Sequence, residues 1–413
     1  MKAIMGARTS RVAWLLGICL LVPCAGEAAP ALRSDMVASL ERLQARLGDG
    51  DPAVLAREAE AAAERLAGGN AADRWARALF LQIAATAEVE RGNDVRAAAL
   101  FAEARGIDGV ESRYRRRWLH QEARLRLRAG QTEQGAALLK RWLESGEGAA
   151  DDAWLMAQAR ADLDQWAAAA QWVDRARQAS GVLPERWQSF AAAVYQRAGR
   201  NAAALAVLDV LLADDDAPAD VWRRAAGLAQ RLGERGRAAA ILEAGRRRGV
   251  LTGETDLRRL IELHLAGGTP ARAAEQLDAA LARGRLPDDL DNRRLLARAW
   301  SAARAHDKAL VAWREVAERS GRADDWRRLG ELAYGWGRRQ TVVEALQKAR
   351  EAGDATPRDW LLTGVAAFEQ GDVAAARRAF RAAREAGAAQ AAAWLAALDD
   401  GQVVTTPAGA GER

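Results

Sequence analysis

A repeat with a period of 33 to 36 residues constrains this chain more than any other feature of its sequence. Successive units begin at Trp222, Leu257, Arg293, Trp326 and Trp360. A period of this length is typical of stacked helical hairpins, in which each unit buries its apolar face only against its neighbours. The sequence therefore predicts one elongated helical array rather than several globular domains.

The last unit shows the pattern most clearly. Its marker residues stand at offsets 0, 4, 11, 16, 20 and 23, and they are Trp360, Gly364, Gly371, Ala376, Phe380 and Ala383. The same offsets recur in the units before it, and parts of the pattern return around Tyr195, Gly130 and Gly92. Between these markers, apolar residues follow helical spacing, and Gly or Pro marks the joins.

This pattern resembles the tetratricopeptide repeat, whose helix-turn-helix unit carries Trp, Leu-Gly, Tyr, Gly, Ala, Phe and Ala at these offsets. The resemblance covers roughly residues 33 to 398. It implies an all-α fold, a right-handed superhelical solenoid of about ten TPR-like helix-turn-helix units. We expect degenerate units over 33–180, clearer units over 184–387, a terminal capping helix over 389–398 and a flexible tail over 399–413.

The N-terminus predicts export. Lys2, Arg8 and Arg11 precede an apolar run from Val12 to Val22, and small residues suitable for cleavage follow. These features indicate a secretory signal peptide over residues 1–28. The apolar run is too short for a permanent membrane anchor, so we expect a periplasmic protein without a transmembrane segment after cleavage.

The two cysteines, Cys19 and Cys24, both lie in this leader, so the mature chain is expected to have none. Cys24 ends a segment, from Leu21, that resembles a lipobox, and a lipid-anchored form is the alternative to a soluble one. Removal of the leader lowers the formal charge from +5 to about +3, which argues against a general nucleic-acid surface.

The sequence contains no recognisable catalytic, cofactor or metal site. Its histidines, His120, His264 and His306, belong to different units, and a packed role is expected for them. Lytic transglycosylases also contain alanine-rich helical superhelices, but their catalytic Glu-Ser motif is matched only by the dipeptides Glu111-Ser112 and Glu144-Ser145. The repeats leave no room for a catalytic domain, so we predict a protein that is not an enzyme.

The most specific functional feature is a column of arginines one residue after the start of four successive units. Its members are Arg223, Arg258, Arg294 and Arg327. The family resemblance places this position on the concave groove. The arginines lie in the first turn of a helix, where a cation opposes the macrodipole, so helix stability does not explain them.

Two interpretations of the column remain open. The arginines could bind carboxylates of an acidic partner, or they could pair with acidic residues of adjacent repeats, such as Glu262 and Glu331. At the C-terminal end the groove becomes apolar. The residues expected to line that end are Tyr334, Leu361, Val365 and Phe368.

Together these features predict an exported, non-enzymatic scaffold that binds a protein or peptide in a bacterial envelope. Its repeats look similar to those of periplasmic proteins associated with TonB-type energising complexes. Two alternatives are an assembly factor for exopolysaccharide export or cytochrome maturation, and a ligand-binding subunit of an envelope enzyme. Fold resemblance alone does not separate them.

Overall fold

The computed structural model describes residues 30–181, 183–353 and 355–399, and within these ranges the secondary structure is helical, with no strand. The leader with Cys24 and the tail beyond Asp399 lie outside the described residues. The chain divides into two compact units, residues 1–211 and 212–413.

The first unit contains the helices up to α10. They are α1 (Ser34–Ala45), α2 (Pro52–Glu64), α3 (Ala71–Glu90), α4 (Asp94–Gly106), α5 (Ser112–Arg128), α6 (Thr132–Glu144), α7 (Ala150–Asp162), α8 (Trp166–Ala179), α9 (Glu185–Arg197) and α10 (Asn201–Leu212).

The second unit contains the helices after α10. They are α11 (Ala219–Arg231), α12 (Arg235–Arg247), α13 (Glu254–Ala266), α14 (Pro270–Ala282), α15 (Leu290–Ala302), α16 (His306–Ser320), α17 (Ala323–Gly335), α18 (Arg339–Ala352), α19 (Pro357–Glu369), α20 (Val373–Glu385) and α21 (Gln390–Asp399).

Each successive pair of helices from α2 to α9 and from α11 to α21 packs side by side. For example, α3 lies against α2 and α4, and α18 lies against α17 and α19. Short turns join them, so neighbouring helices run antiparallel. Proline begins α2, α14 and α19, where its missing N–H costs no helical hydrogen bond.

A left-handed backbone residue closes each turn from an odd-numbered helix to the even-numbered helix after it. Ten such residues lie within the described chain, and they are Gly48, Gly92, Gly130, Asp164, Gly199, Gly233, Gly268, Arg304, Gly337 and Gly371. Only glycine adopts this conformation without a Cβ penalty. These turns agree with the prediction of about ten helix-turn-helix units.

The contacts inside each hairpin depend on small residues. An alanine near the start of an even-numbered helix is fully buried, with 0% exposure, in several of the hairpins, and these residues include Ala97, Ala238, Ala273, Ala309 and Ala376. Gly364 of α19 faces Phe380 of α20 so closely that a Cβ at Gly364 would lie 2.6 Å from the phenylalanine ring. The two helices of a hairpin are therefore in close contact.

The last helix of the described residues, α21, packs on α20. Its Trp394 stacks on Phe380 with ring centroids 5.3 Å apart and meets the edge of Phe368 at 5.7 Å.

Candidate functional site

The four arginines of the column each donate hydrogen bonds to the third residue of the next odd-numbered helix. In the first pair, Arg223 of α11 holds Asp256 of α13 through two bonds, from Nε to Oδ1 at 2.8 Å and from Nη2 to Oδ2 at 2.9 Å. Two parallel bonds of this kind make the strongest geometry available to a guanidinium and a carboxylate. We call the four pairs the arginine ladder.

Two further pairs of the ladder also join an arginine to an aspartate. Arg294 of α15 donates to Asp325 of α17 at 3.4 and 2.7 Å. Arg327 of α17 donates to Asp359 of α19 at 3.1 Å, and Asp359 also accepts from the backbone N–H of Thr356 at 2.9 Å. Each aspartate thus lies in the first turn of its own helix, where a negative charge is stabilised by the helix dipole.

The remaining pair differs in its acceptor. Arg258 of α13 donates to the side-chain oxygen of Asn292 of α15 at 3.2 Å, so a neutral amide stands where the other pairs have a carboxylate. The carboxylate bonded to Arg258 is Glu254, one turn earlier on its own helix, at 2.9 Å. Arg258 and Glu254 are 41% and 51% exposed, so solvent weakens their attraction.

Burial and charge pairing both act on the ladder carboxylates. The hydrogen bonds from Arg223 are the main cause that lowers the pKa of Asp256, and they outweigh its burial. Burial opposes ionisation of Asp325, yet the bonds from Arg294 and Ser320 lower the pKa of this carboxyl as well. The same bonds raise the pKa of Arg223 and Arg294. Both members of these pairs are therefore charged at neutral pH.

Of the two interpretations of the arginine column, inter-repeat pairing is the arrangement seen in the structure. The acceptors differ from those named as examples in the sequence analysis. Glu331 accepts instead from Arg358 at 3.1 Å, while Glu262 is exposed. A side chain that already bonds to the next repeat can still meet a partner, because Arg223 and Arg258 remain 53% and 41% exposed.

Counted back from the left-handed turn residue, the two ladder positions are the tenth and the twelfth residue before it, and these positions are also paired in the first unit, but with other chemistry. In the order of the chain, the indole N–H of Trp118 donates to Gln82 at 3.0 Å, His120 bonds to Asp152 at 2.7 Å, and Trp154 stacks on Trp187 with ring centroids 4.8 Å apart. The position is therefore a general joint between neighbouring odd-numbered helices, and arginine fills it only in the second unit.

The predicted apolar end lies partly in the core. Val365, expected at the groove, is only 4% exposed and packs in a cluster with Phe380 and Leu395. Tyr334, Leu361 and Phe368 border this cluster and are half-buried. We call these three residues the apolar patch, since they keep accessible surface.

The histidines have packed roles, as expected. His264 is buried, and its Nδ1 bonds to the hydroxyl of Thr269 at 2.9 Å. His306 stacks on Trp336 with ring centroids 4.4 Å apart, and His120 stacks on Trp142 at 4.6 Å.

Metal-binding clusters and membrane-spanning helices are both absent from the described residues. Those residues contain no group of three or more His, Cys, Asp and Glu side chains arranged to hold a metal ion. No helix among them combines the length and the apolarity needed to cross a membrane.

The hairpin lengths, the left-handed turn residue and the packing positions define the described chain as an all-α array of tetratricopeptide-type repeats. No protein-family model matches the sequence, and no curated protein matches it significantly.

Solved structures with a similar arrangement of helices share little sequence with this chain. Naa15/Naa10 bound to HypK-THB has a TM-score of 0.44 and 13% identity, over 78% of this chain and 66%, just under two thirds, of that chain. A tetratricopeptide repeat protein from Parabacteroides merdae has a TM-score of 0.36 and 15% identity, over 64% and 99% of the two chains. YrrB, described as a TPR protein with an unusual peptide-binding site, has a TM-score of 0.32 and 14% identity, over 44% and 91%.

Proposed function

We propose that this protein is an exported, non-enzymatic scaffold that binds an acidic protein partner along the arginine ladder. Arg258 is the contact for a partner carboxylate. The observation that carries this assignment is the acceptor of Arg258, which is the amide of Asn292 where the three other pairs have a buried aspartate.

Charge balance explains why Arg258 stands out. A carboxylate approaching Arg223, Arg294 or Arg327 meets a guanidinium whose charge is already balanced by an aspartate less than 9% exposed. Arg258 has no buried carboxylate as a partner. A partner carboxylate therefore has to displace only the exposed Glu254. An exposed ion pair such as that of Arg258 with Glu254 contributes only about 0 to 1 kcal/mol, so exchange of Glu254 for a partner carboxylate costs little.

The proposed location is the periplasm, and it rests on the predicted leader over residues 1–28. There the scaffold would serve a TonB-type or other envelope complex. Intact mass and N-terminal sequencing of exported protein test the location. A mature chain that begins between Glu27 and Leu32 supports it, whereas a retained leader or a diacylglycerol on Cys24 contradicts the soluble form.

The binding proposal is tested by affinity capture from envelope extract, followed by identification and purification of the captured protein. Arg258→Gln should reduce the affinity of that purified partner at least tenfold. The matched control is Arg381→Gln, which removes one exposed charge from α20 and should leave affinity unchanged. Added salt should release the partner, because exposed charges are screened within about 8 Å at physiological ionic strength. Equal affinity of Arg258→Gln and the wild type overturns the assignment.

A further inference from the structure

Tyr195 of α9 and His264 of α13 occupy the same repeat position, four residues before the left-handed glycine of their turn. Each faces an acidic residue of the preceding even-numbered helix, and these two residues, Asp174 and Glu243, also stand at equivalent positions. In both cases an arginine binds the acidic residue. The two sites therefore link one hairpin to the next in the same way, and we call them the tyrosine contact and the histidine contact.

The tyrosine contact is closed by a hydrogen bond. The hydroxyl of Tyr195 donates to Oδ1 of Asp174 at 2.7 Å, and Arg200 donates to both carboxylate oxygens at 2.7 and 3.2 Å. A phenol has an ordinary pKa of about 10, and burial raises the pKa of Tyr195 further. The hydroxyl therefore keeps its proton, and its hydrogen bond, at neutral and mildly acidic pH.

The histidine contact lacks the corresponding bond. Nε2 of His264 is buried, lies 3.9 Å from Oε2 of Glu243 and makes no hydrogen bond with any described residue. The other ring nitrogen fixes the tautomer. The hydroxyl of Thr269 donates to the backbone carbonyl of His264 at 3.1 Å, so its oxygen accepts from Nδ1–H at 2.9 Å. The neutral ring thus points a lone pair, and not a proton, at the carboxylate.

Protonation of His264 would place a charge on a side chain that is only 8% exposed. Two charged groups face the ring from the helices packed on α13, and they are Glu243 of α12 and Arg272 of α14. Oε1 of Glu243 already accepts from Arg272, so a protonated ring adds a second cation to one carboxylate. Burial lowers the pKa of His264, Glu243 opposes this change and Arg272 adds to it.

We propose that the histidine contact is an acid-sensitive hinge, which opens between α12 and α13 when His264 takes up a proton. In the opened contact the ring is solvated and its charge is no longer buried. Because the closed contact favours the neutral ring, its stability is fully present above the ordinary histidine pKa of about 6.5 and is lost as the pH falls below it. The tyrosine contact keeps its hydrogen bond over this range and should stay closed.

Amide hydrogen exchange of the mature chain, measured by mass spectrometry and corrected for the pH dependence of the intrinsic rate, tests the hinge. Between pH 7.5 and 5.5, opening of α12 and α13 should increase at least about threefold and at most about tenfold, the limit for one histidine over this range. Opening of α8 and α9 should not change. His264→Tyr, which copies the tyrosine contact, and His264→Gln should both abolish the pH dependence in α12 and α13.

Nitrogen NMR of the imidazole gives a second measurement that needs no variant. At pH 7.5 the proton of His264 should reside on Nδ1, and a ring protonated on Nε2 instead would overturn the hinge. Exchange of α12 and α13 that is equal at both pH values, or slower in acid because the protonated ring closes on Glu243, also overturns it. An increase in acid that persists in both His264 variants, or is equal in all helices of the second unit, contradicts a hinge at this contact.

Discussion

Arg258 and Arg294 occupy the same position in successive repeats and differ chiefly in what accepts their hydrogen bonds. Asp325 is 8% exposed, so loss of Arg294 would leave a buried carboxylate without its main partner. Loss of Arg258 leaves only an amide oxygen, which is a far smaller penalty. At the scale of single residues, one arginine thus supports folding and the other is free to support binding.

A second residue-scale prediction concerns Arg304, whose φ of 54° lies in the left-handed region where the equivalent turns carry glycine. A side chain with Cβ costs about 1 to 2 kcal/mol in this conformation. Arg304→Gly should therefore raise the free energy of unfolding by about 1 kcal/mol in urea denaturation. Asp164→Gly should gain less, because Asp tolerates this region better. A lower stability of Arg304→Gly than of the wild type would contradict the strain argument.

His264 predicts how stability changes with pH. Burial lowers the pKa of His264, so the folded state favours the neutral ring. The resulting stability is fully present above the unfolded pKa of about 6.5 and is lost as the pH falls below it. Compared with His264→Gln, the wild type should lose stability between pH 7.5 and 5 in thermal melts. Parallel pH profiles of the two proteins would refute the role of His264.

The sequence contained the arginine column but did not reveal its partners. The aspartates at the third helix position look like ordinary first-turn residues, and their distance of 31 to 33 residues from the arginines hides the pairing. The sequence signal that could have revealed the pairing was a second column, of Asp or Asn, at the third position of the odd-numbered helices. Burial of Val365 was not predictable from the repeat alone, because α21 supplies the residues that help to cover it.

At the scale of helices, close contact between the two helices of a hairpin limits the size of the residue at that contact. Gly364→Ala in α19 would place Cβ 2.6 Å from Phe380, whose ring is held by Trp394. We expect a loss of about 1 to 3 kcal/mol. The control is Gly227→Ala in α11, where nothing lies within 4 Å and higher helix propensity should add up to about 1 kcal/mol. Thermal midpoints that move in the same direction would contradict this packing account.

The joints between odd-numbered helices were only partly predictable from the sequence. The helical hairpins followed from the spacing of Gly, Ala and aromatic residues, and the turns appear where that spacing places them. In the first unit, however, the joints use an amide with an indole, a histidine with a carboxylate, and two stacked indoles. No single residue type recurs there, so no column is visible, and only the structure shows that these pairs are equivalent.

At the scale of the whole molecule, the joint between odd-numbered helices has different chemistry in the two units. In the first unit, each joint is closed by residues that complement one another. In the second unit, an arginine recurs at this position, and the net charge of each pair depends on whether its acceptor is Asp or Asn. A chain with a formal charge of only +5 can thus concentrate positive character at one position without being basic throughout.

We propose that the acceptor in the next helix decides whether a ladder arginine is open to a partner. The most direct measurement compares the affinity of the captured acidic partner for Asn292→Asp and for Asp325→Asn, two nearly isosteric changes of opposite sense. Closing the pair at Arg258 should weaken binding at least tenfold, whereas opening the pair at Arg294 should leave binding equal or tighter. Unchanged binding by Asn292→Asp, or a loss with Asp325→Asn alone while the helical signal stays intact, would contradict the account.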